Sequence, residues 1–199
     1  LRNNLGVVVG ILVVLEILLI VVVRNYYYSS TRQYLTSKMK IVTTAVVNAS
    51  GDEQTNYNSQ IRSLVECYDE KDKIELMAIK TDGEVDVTSS GFSPSENDNM
   101  TDYEDAKKSD TGIGTQIYEL STGEKVMAIT SVISPKGSEY EALRMLSSMK
   151  NIDHQIFIMS MIITAIVVAV IMLMFFSGMF FIKSIVLPIR SINSITRRY

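Results

Sequence analysis

The 199-residue sequence holds one cysteine and one histidine, and each scarcity excludes something. With Cys67 alone, no disulfide can form within the chain, so a domain outside the reducing interior of a cell must rest on packing or on a partner chain. No basic residue stands beside it in Val65-Glu66-Cys67-Tyr68 to stabilise a thiolate, and Cys67 is read as a small buried hydrophobe. With His154 alone, at the edge of an apolar run, a serine nucleophile in the polar middle of the chain lacks an imidazole partner, and nucleophilic catalysis is poorly supported. Charge is missing from two long stretches: residues 5–23 carry only Glu16, and residues 156–182 carry none. A helix rises ~1.5 Å per residue and the hydrocarbon layer is ~30 Å thick, so about 20 apolar residues span it. Both runs qualify as transmembrane helices. A buried core helix would show a polar face, whereas residues 161–176 offer only Thr164.

The flanking charges give the orientation. Lys183, Arg190, Arg197 and Arg198 follow the second run with no acid among them, which marks that end as cytoplasmic and puts the middle of the chain outside. Residues 25–155 hold 21 of the 22 acids and 13 of the 19 Lys and Arg, a net charge of −8 against −3 for the whole chain, and no nucleic-acid partner is expected. Tyr26, Tyr27 and Tyr28 follow the first run, where amphipathic rings favour a membrane interface; with Arg24 they also stand where a signal-peptide cleavage site would need small residues. The chain starts at Leu1 without a methionine and is expected to be a piece of a longer protein. The expected organisation is a first span over 1–24, an outer domain over 25–155, a second span over 156–182 and a cytoplasmic helix over 183–199.

Within the outer domain, residues 26–49 contain no Gly or Pro and place Tyr28, Leu35, Val42 and Ala49 at seven-residue intervals, with Thr31, Met39, Ala45 and Val46 beside them. One side of this helix is mostly apolar. It is expected to lie on a sheet and, at Leu35 and Val42, to meet a second copy of the chain in a homodimer. Helix running from residue 5 to Asn48-Ala49-Ser50-Gly51 would be a rod of about 67 Å. A second helix is expected over 59–68, with Ser59 as its cap. Strands over 74–79 and 84–87 flank Asp82-Gly83, a strong hairpin marker, and strands over 116–120 and 125–133 flank Ser121-Thr122-Gly123-Glu124. Residues 91–101 read as a loop, 102–108 as a helical turn, 140–146 as a last strand and 148–155 as a helical lead into the second run. The fold class is α+β: a long N-terminal helix on a five-stranded antiparallel sheet, between two transmembrane helices. Strand 125–133 is apolar on both faces, one to meet the long helix and the other to close over a small cavity.

Arg144 lies between Leu143 and Met145 in the last strand. It reaches inward to an anionic ligand or an acid partner, or it lies on the solvent face; in the first case Tyr118 and Thr130 are its candidate neighbours in a ligand pocket. Asp82, Glu84 and Asp86 alternate along a strand, and Asp69, Glu70 and Asp72 form a second acidic group, but no loop matches a calcium-binding signature and no metal site is assigned. Gly6 and Gly10 form a GxxxG pattern that suits close approach of two first spans, and Glu16, a carboxyl inside a span, either marks helix association or tilts toward the headgroups. These three are the candidate transmembrane dimer contacts. His154 is read as a solvated imidazole rather than a pH sensor.

The order of elements resembles the PAS-like single Cache sensor domain of bacterial membrane receptors, through Asp82-Gly83, Asp102-Tyr103-Glu104-Asp105-Ala106, Ser121-Thr122-Gly123-Glu124-Lys125-Val126-Met127-Ala128 and Ala142-Leu143-Arg144. Leu187-Pro188-Ile189-Arg190-Ser191-Ile192 is similar to the opening of a HAMP linker, with Ile185, Ile189, Ile192, Thr196 and Tyr199 spaced as a coiled-coil seam. The resemblance implies the input half of a two-component sensor histidine kinase in a Gram-positive plasma membrane, with Pro188, Ile189 and Ile192 transmitting the signal. It implies a small-molecule or peptide ligand outside the cell, no cofactor in this chain, and a response regulator engaged through kinase domains beyond residue 199. His154, on the outer side, is not the phosphorylated histidine. A chemoreceptor or cyclic-nucleotide-signalling enzyme shares these input parts, and a membrane-tethered binding module would need no seam after the second span.

Overall fold

Lys80-Thr81-Asp82-Gly83-Glu84 and Leu120-Ser121-Thr122-Gly123-Glu124 form turns of one shape in the computed structural model, which describes residues 2–48, 57–91, 100–133 and 138–181. In each, the glycine takes the left-handed conformation (φ 88° at Gly83, 81° at Gly123), which lets a three-residue loop reverse the chain. The Lys80 amide donates to the Glu84 carbonyl at 2.9 Å and the Leu120 amide to the Glu124 carbonyl at 2.8 Å. These turns make two hairpins, β1 (Ile74–Lys80) with β2 (Val85–Thr88) and β3 (Ile113–Glu119) with β4 (Lys125–Val132). A fifth strand, β5 (Tyr140–Ser148), lies between them in one antiparallel sheet of order β2-β1-β5-β4-β3. The described helices are α1 (Arg2–Asn48), α2 (Tyr57–Glu66), α3 (Thr101–Lys108) and α4 (Lys150–Phe181). The fold is α+β.

The chain divides into two units, Leu1–Asn25 with Gln155–Tyr199, and Tyr26–His154. In the first, α1 and α4 supply helices long and apolar enough to cross a membrane: their most apolar 18-residue stretches have mean hydropathy 3.2 and 3.0, with none of either stretch buried. Large side chains such as Val14, Leu18, Leu173 and Phe180 stand open.

In the second unit, strand alternation sorts the sheet into two apolar faces. Ile74, Leu76 and Ala78 of β1, Met127 and Ile129 of β4, and Leu143 and Met145 of β5 pack with Leu35, Met39 and Val46 of α1 and Ile61 and Val65 of α2. The opposite face carries Met77, Ala128 and Leu146 in one cluster and Ile79, Ala142 and Tyr103 of α3 in another.

Four expectations are corrected. Leu35 is fully buried against this chain's own sheet and so is not open to a second copy, while Val42 packs half-buried on the same core; an apolar stripe reports burial but not whose surface buries it. Cys67 is exposed, because α2 ends at Glu66 after seating Ile61 and Val65, and the following turn leads away from the core. Helix α2 begins at Tyr57, which is itself buried, so Ser59 lies inside the first turn and does not cap it. Strand β3 begins at Ile113, three residues before the expected start, because Gly114 and its neighbours pair with β4 without showing an apolar alternation.

Candidate functional site

Cross-strand register puts Arg144 of β5 opposite Thr130 of β4, and Thr130 opposite Gly114 of β3. The three stand in one row on the sheet face turned away from α1. At the end of the row Gly114 has no side chain, and α3 occupies the space: a Cβ there would lie 1.9 Å from the Asp102 carbonyl oxygen and 2.6 Å from the Ala106 nitrogen. The helix therefore rests directly on β3, with Asp102, Tyr103 and Ala106 buried beneath it. Gln116, two residues along the same face, accepts the Asp102 amide at 3.3 Å.

This close seat lowers the Asp102 side chain onto the row. Arg144 donates from Nε to Oδ2 at 2.9 Å and from Nη2 to Oδ1 at 2.7 Å, a side-on bidentate pair, and the Thr130 hydroxyl donates to Oδ2. The guanidinium carbon lies 5.4 Å from the centre of the Tyr118 ring, within cation–π range. Arg144, Asp102 and Thr130 are each 0% exposed. A charge removed from water this completely persists only with a close counter-charge, and Asp102 supplies it together with acceptors for Nε and Nη2.

The structure thus brings Arg144, Tyr118 and Thr130 together and excludes the solvent-face alternative for Arg144. Sequence reasoning missed Asp102 as the acid partner. Its signal was an acid in the first turn of a short helix, four residues before Ala106, ahead of a strand opening with glycine.

Two further networks tie elements of this unit. The Tyr28 hydroxyl of α1 donates to Asp153 of α4 at 2.7 Å, and Lys125 of β4 donates to the same carboxylate at 3.2 Å. Asp153 and then Tyr28 hold the Lys125 ammonium above its ordinary range. Asp86 of β2 accepts Lys80 at 2.7 Å and the Tyr140 hydroxyl at 2.7 Å, with Arg62 of α2 at 3.6 Å; Asp82 and Glu84 lie before β2, so the three acids do not share one strand as expected, and Asp86 is engaged in an ion pair.

In the unit of apolar helices, the Thr164 hydroxyl of α4 donates to Glu16 of α1 at 2.6 Å. Glu16 is seven residues from the end of the first run at Val23 and Thr164 eight from the start of the second at Ile156, so the two hold similar places along their runs. Nothing lies within 4 Å of a Cβ placed on Gly6 or Gly10. Pro188, Ile189 and Ile192 lie outside the described residues.

No protein-family model and no curated protein matches this sequence. Among solved structures, the chain is similar to the sensory domain of the Campylobacter jejuni chemoreceptor Tlp3 (CcmL) with isoleucine bound, at TM-score 0.49 and 14% identity over 78% of this chain and 63% of that one. It is similar to the Tlp3 ligand-binding domain in complex with L-valine, at TM-score 0.48 and 12% identity over 78% and 64%. The ligand-binding domain of the Pseudomonas aeruginosa PAO1 amino acid chemoreceptor PctC in complex with GABA matches at TM-score 0.43 and 14% identity over 64% and 58%. This chain spans less than two thirds of the length of each.

Proposed function

We propose that the chain is the input portion of a bacterial two-component sensor histidine kinase: a homodimeric plasma-membrane receptor whose outer unit receives a small-molecule or peptide stimulus and passes it through the second span and the linker to kinase domains that serve a response regulator. One observation carries the reading. Helices α1 and α4 are single continuous elements, Arg2–Asn48 and Lys150–Phe181, and each contributes an apolar run to one unit and polar turns to the other. A displacement of the folded end then reaches the apolar end without an intervening loop. The Tyr28–Asp153–Lys125 network joins the two helices to each other and to the sheet, so a change in the sheet acts on both. The buried Arg144 site lies on the same sheet, two strands of which, β4 and β5, lead to Lys125 and to the start of α4.

Beyond the second span, Pro188 lacks an amide hydrogen and disfavours helix at Leu187, which separates the span from the seam at Ile189 and Ile192 and lets motion be read as packing. The same input parts suit a chemoreceptor or cyclic-nucleotide-signalling output, which differs only in the domains beyond residue 199.

The test is a fusion of residues 1–199 to the cytoplasmic half of a histidine kinase with a transcriptional reporter. Arg144→Met and Pro188→Ala are expected to shift basal output in opposite or unequal measure, since one acts at the receiving site and the other at the relay. Wild-type output from both variants at normal expression would refute the reading.

A further inference from the structure

The receptor groups of the buried site already hold a carboxylate, and that carboxylate belongs to the chain. Asp102 takes the Nε and Nη2 fork of Arg144 and the Thr130 hydroxyl, beside the face of Tyr118. A free carboxylate would need the same set: a planar fork of two donors, a third donor from the side and an apolar wall that excludes water. Building on the reading of this unit as a sensor, we propose that Asp102 is an internal occupant of a carboxylate-binding site, and that a small carboxylate ligand takes Arg144 and Thr130 in its place and frees the first turn of α3 from the sheet.

Three features make the exchange feasible. Helix α3 has eight residues and no side-chain cap at Met100, and what holds it among the described residues is its seat on the sheet, with the Tyr103 hydroxyl on Glu141 and Lys107 at 3.5 Å from the same carboxylate. An open pocket of about 410 Å³, lined by Asp82, Met100, Thr101, Tyr103, Glu104 and Lys107, borders its first turn and leaves room on that side. Once displaced, the Asp102 carboxylate stays in the first turn of a helix, where backbone amides favour negative charge and water reaches it. The ligand meanwhile supplies Arg144 with the counter-charge its burial requires, so neither charge is left unpaired. The seat on Gly114 leaves no side chain between α3 and β3, so lifting the first turn breaks a direct backbone contact.

Competition fixes the expected magnitude. If Asp102 fills the site about 99% of the time, apparent affinity for an outside carboxylate falls about 100-fold relative to the emptied site. The experiment uses residues 1–199 in detergent micelles, titrated with sodium acetate against sodium chloride at equal ionic strength and followed by melting temperature and amide hydrogen exchange. Asp102→Ala is expected to bind acetate about 10- to 100-fold more tightly than the wild type, with a rise in melting temperature that chloride does not give and that Arg144→Met in the same background abolishes. Asp102→Asn, which keeps the shape without the charge, is expected to move the same way if the alanine variant does not fold. In the wild type, acetate should speed exchange at the amides of residues 105–109.

Acetate and chloride acting alike on a folded Asp102 variant would overturn the proposal and make the pair a permanent clamp. Unchanged exchange in α3 at saturating acetate would overturn the release step. Acetate binding and release without any change in reporter output would leave this site standing and remove the sensor reading. A reporter response to Arg144→Met, with no acetate effect on the Asp102 variants, would do the reverse.

Discussion

Gly114 and Asp102 occupy adjoining space so tightly that a Cβ on Gly114 would stand 1.9 Å from the Asp102 carbonyl oxygen. The contact is with backbone, which cannot swing aside as a long side chain can. Gly114→Ala is therefore expected to lift α3, cost about 1–3 kcal/mol as an overpacked site, and misalign the Asp102 carboxylate on Arg144. Thermal melting of the variant checks the cost. A melting temperature within error of the wild type would mean that α3 does not rest on β3.

The Arg144–Asp102 pair should behave as one unit. Removing either partner leaves a charge buried alone, so Asp102→Ala and Arg144→Met are each expected to cost about 3–5 kcal/mol, whereas the double variant should cost much less than their sum. A double-mutant cycle by denaturant unfolding measures the coupling. Additive costs would show that the two side chains do not depend on each other.

This pair also marks how far the sequence could be read. The hairpins were legible because their determinants are local: Asp82-Gly83 and Thr122-Gly123 sit between apolar runs and need no distant partner. The two apolar helices were legible because a single charge in 19 residues and none in 27 is itself the signal. Arg144 stood out as a charge among Leu143 and Met145, but Asp102 lies 42 residues earlier and meets it only through the register of three strands and the missing side chain at Gly114. The stripe on α1 was visible as apolar and its seat on a sheet was expected, but spacing alone did not tell that Leu35 belongs wholly to that sheet rather than to a second helix. Cys67 was misplaced for a related reason: its burial depends on where α2 stops, a boundary that composition sets only to within a few residues.

Acid and alkali should act on the Asp86 cluster from opposite sides. Hydrogen bonds from Lys80 and then Tyr140 hold the Asp86 carboxyl below its ordinary value of 3.8, so its contribution to stability is present above that value and lost as pH falls through the lowered one. Burial, and then the bond to Asp86, push the Tyr140 hydroxyl up to about 12 from 10.0; its contribution is present below pH 10 and lost as pH rises toward 12. Asp86→Asn is expected to flatten the acid limb of a melting-temperature profile and Tyr140→Phe the alkaline limb. Parallel profiles for all three proteins would contradict the assignment.

The Glu16–Thr164 bond offers a test of the apolar helices. Thr164→Val removes the donor and keeps the shape, and Glu16→Gln keeps an acceptor without the charge. In lipid such bonds contribute about 0.6 to 2 kcal/mol. Disulfide trapping between cysteines placed one turn away on α1 and α4 should slow in Thr164→Val and persist in Glu16→Gln. Equal rates in both variants and the wild type would show that the bond does not set the pairing of these helices.

The central claim, a receiving unit outside and a relay inside, is tested most directly by which side of the membrane two cysteines face. Cys67 is exposed in the folded unit, so it should react with a membrane-impermeant thiol reagent on intact cells. A cysteine at Ser194, in a Cys67→Ser background, should react only after the membrane is opened. Labelling of both from outside, or of Ser194→Cys alone, would contradict the account.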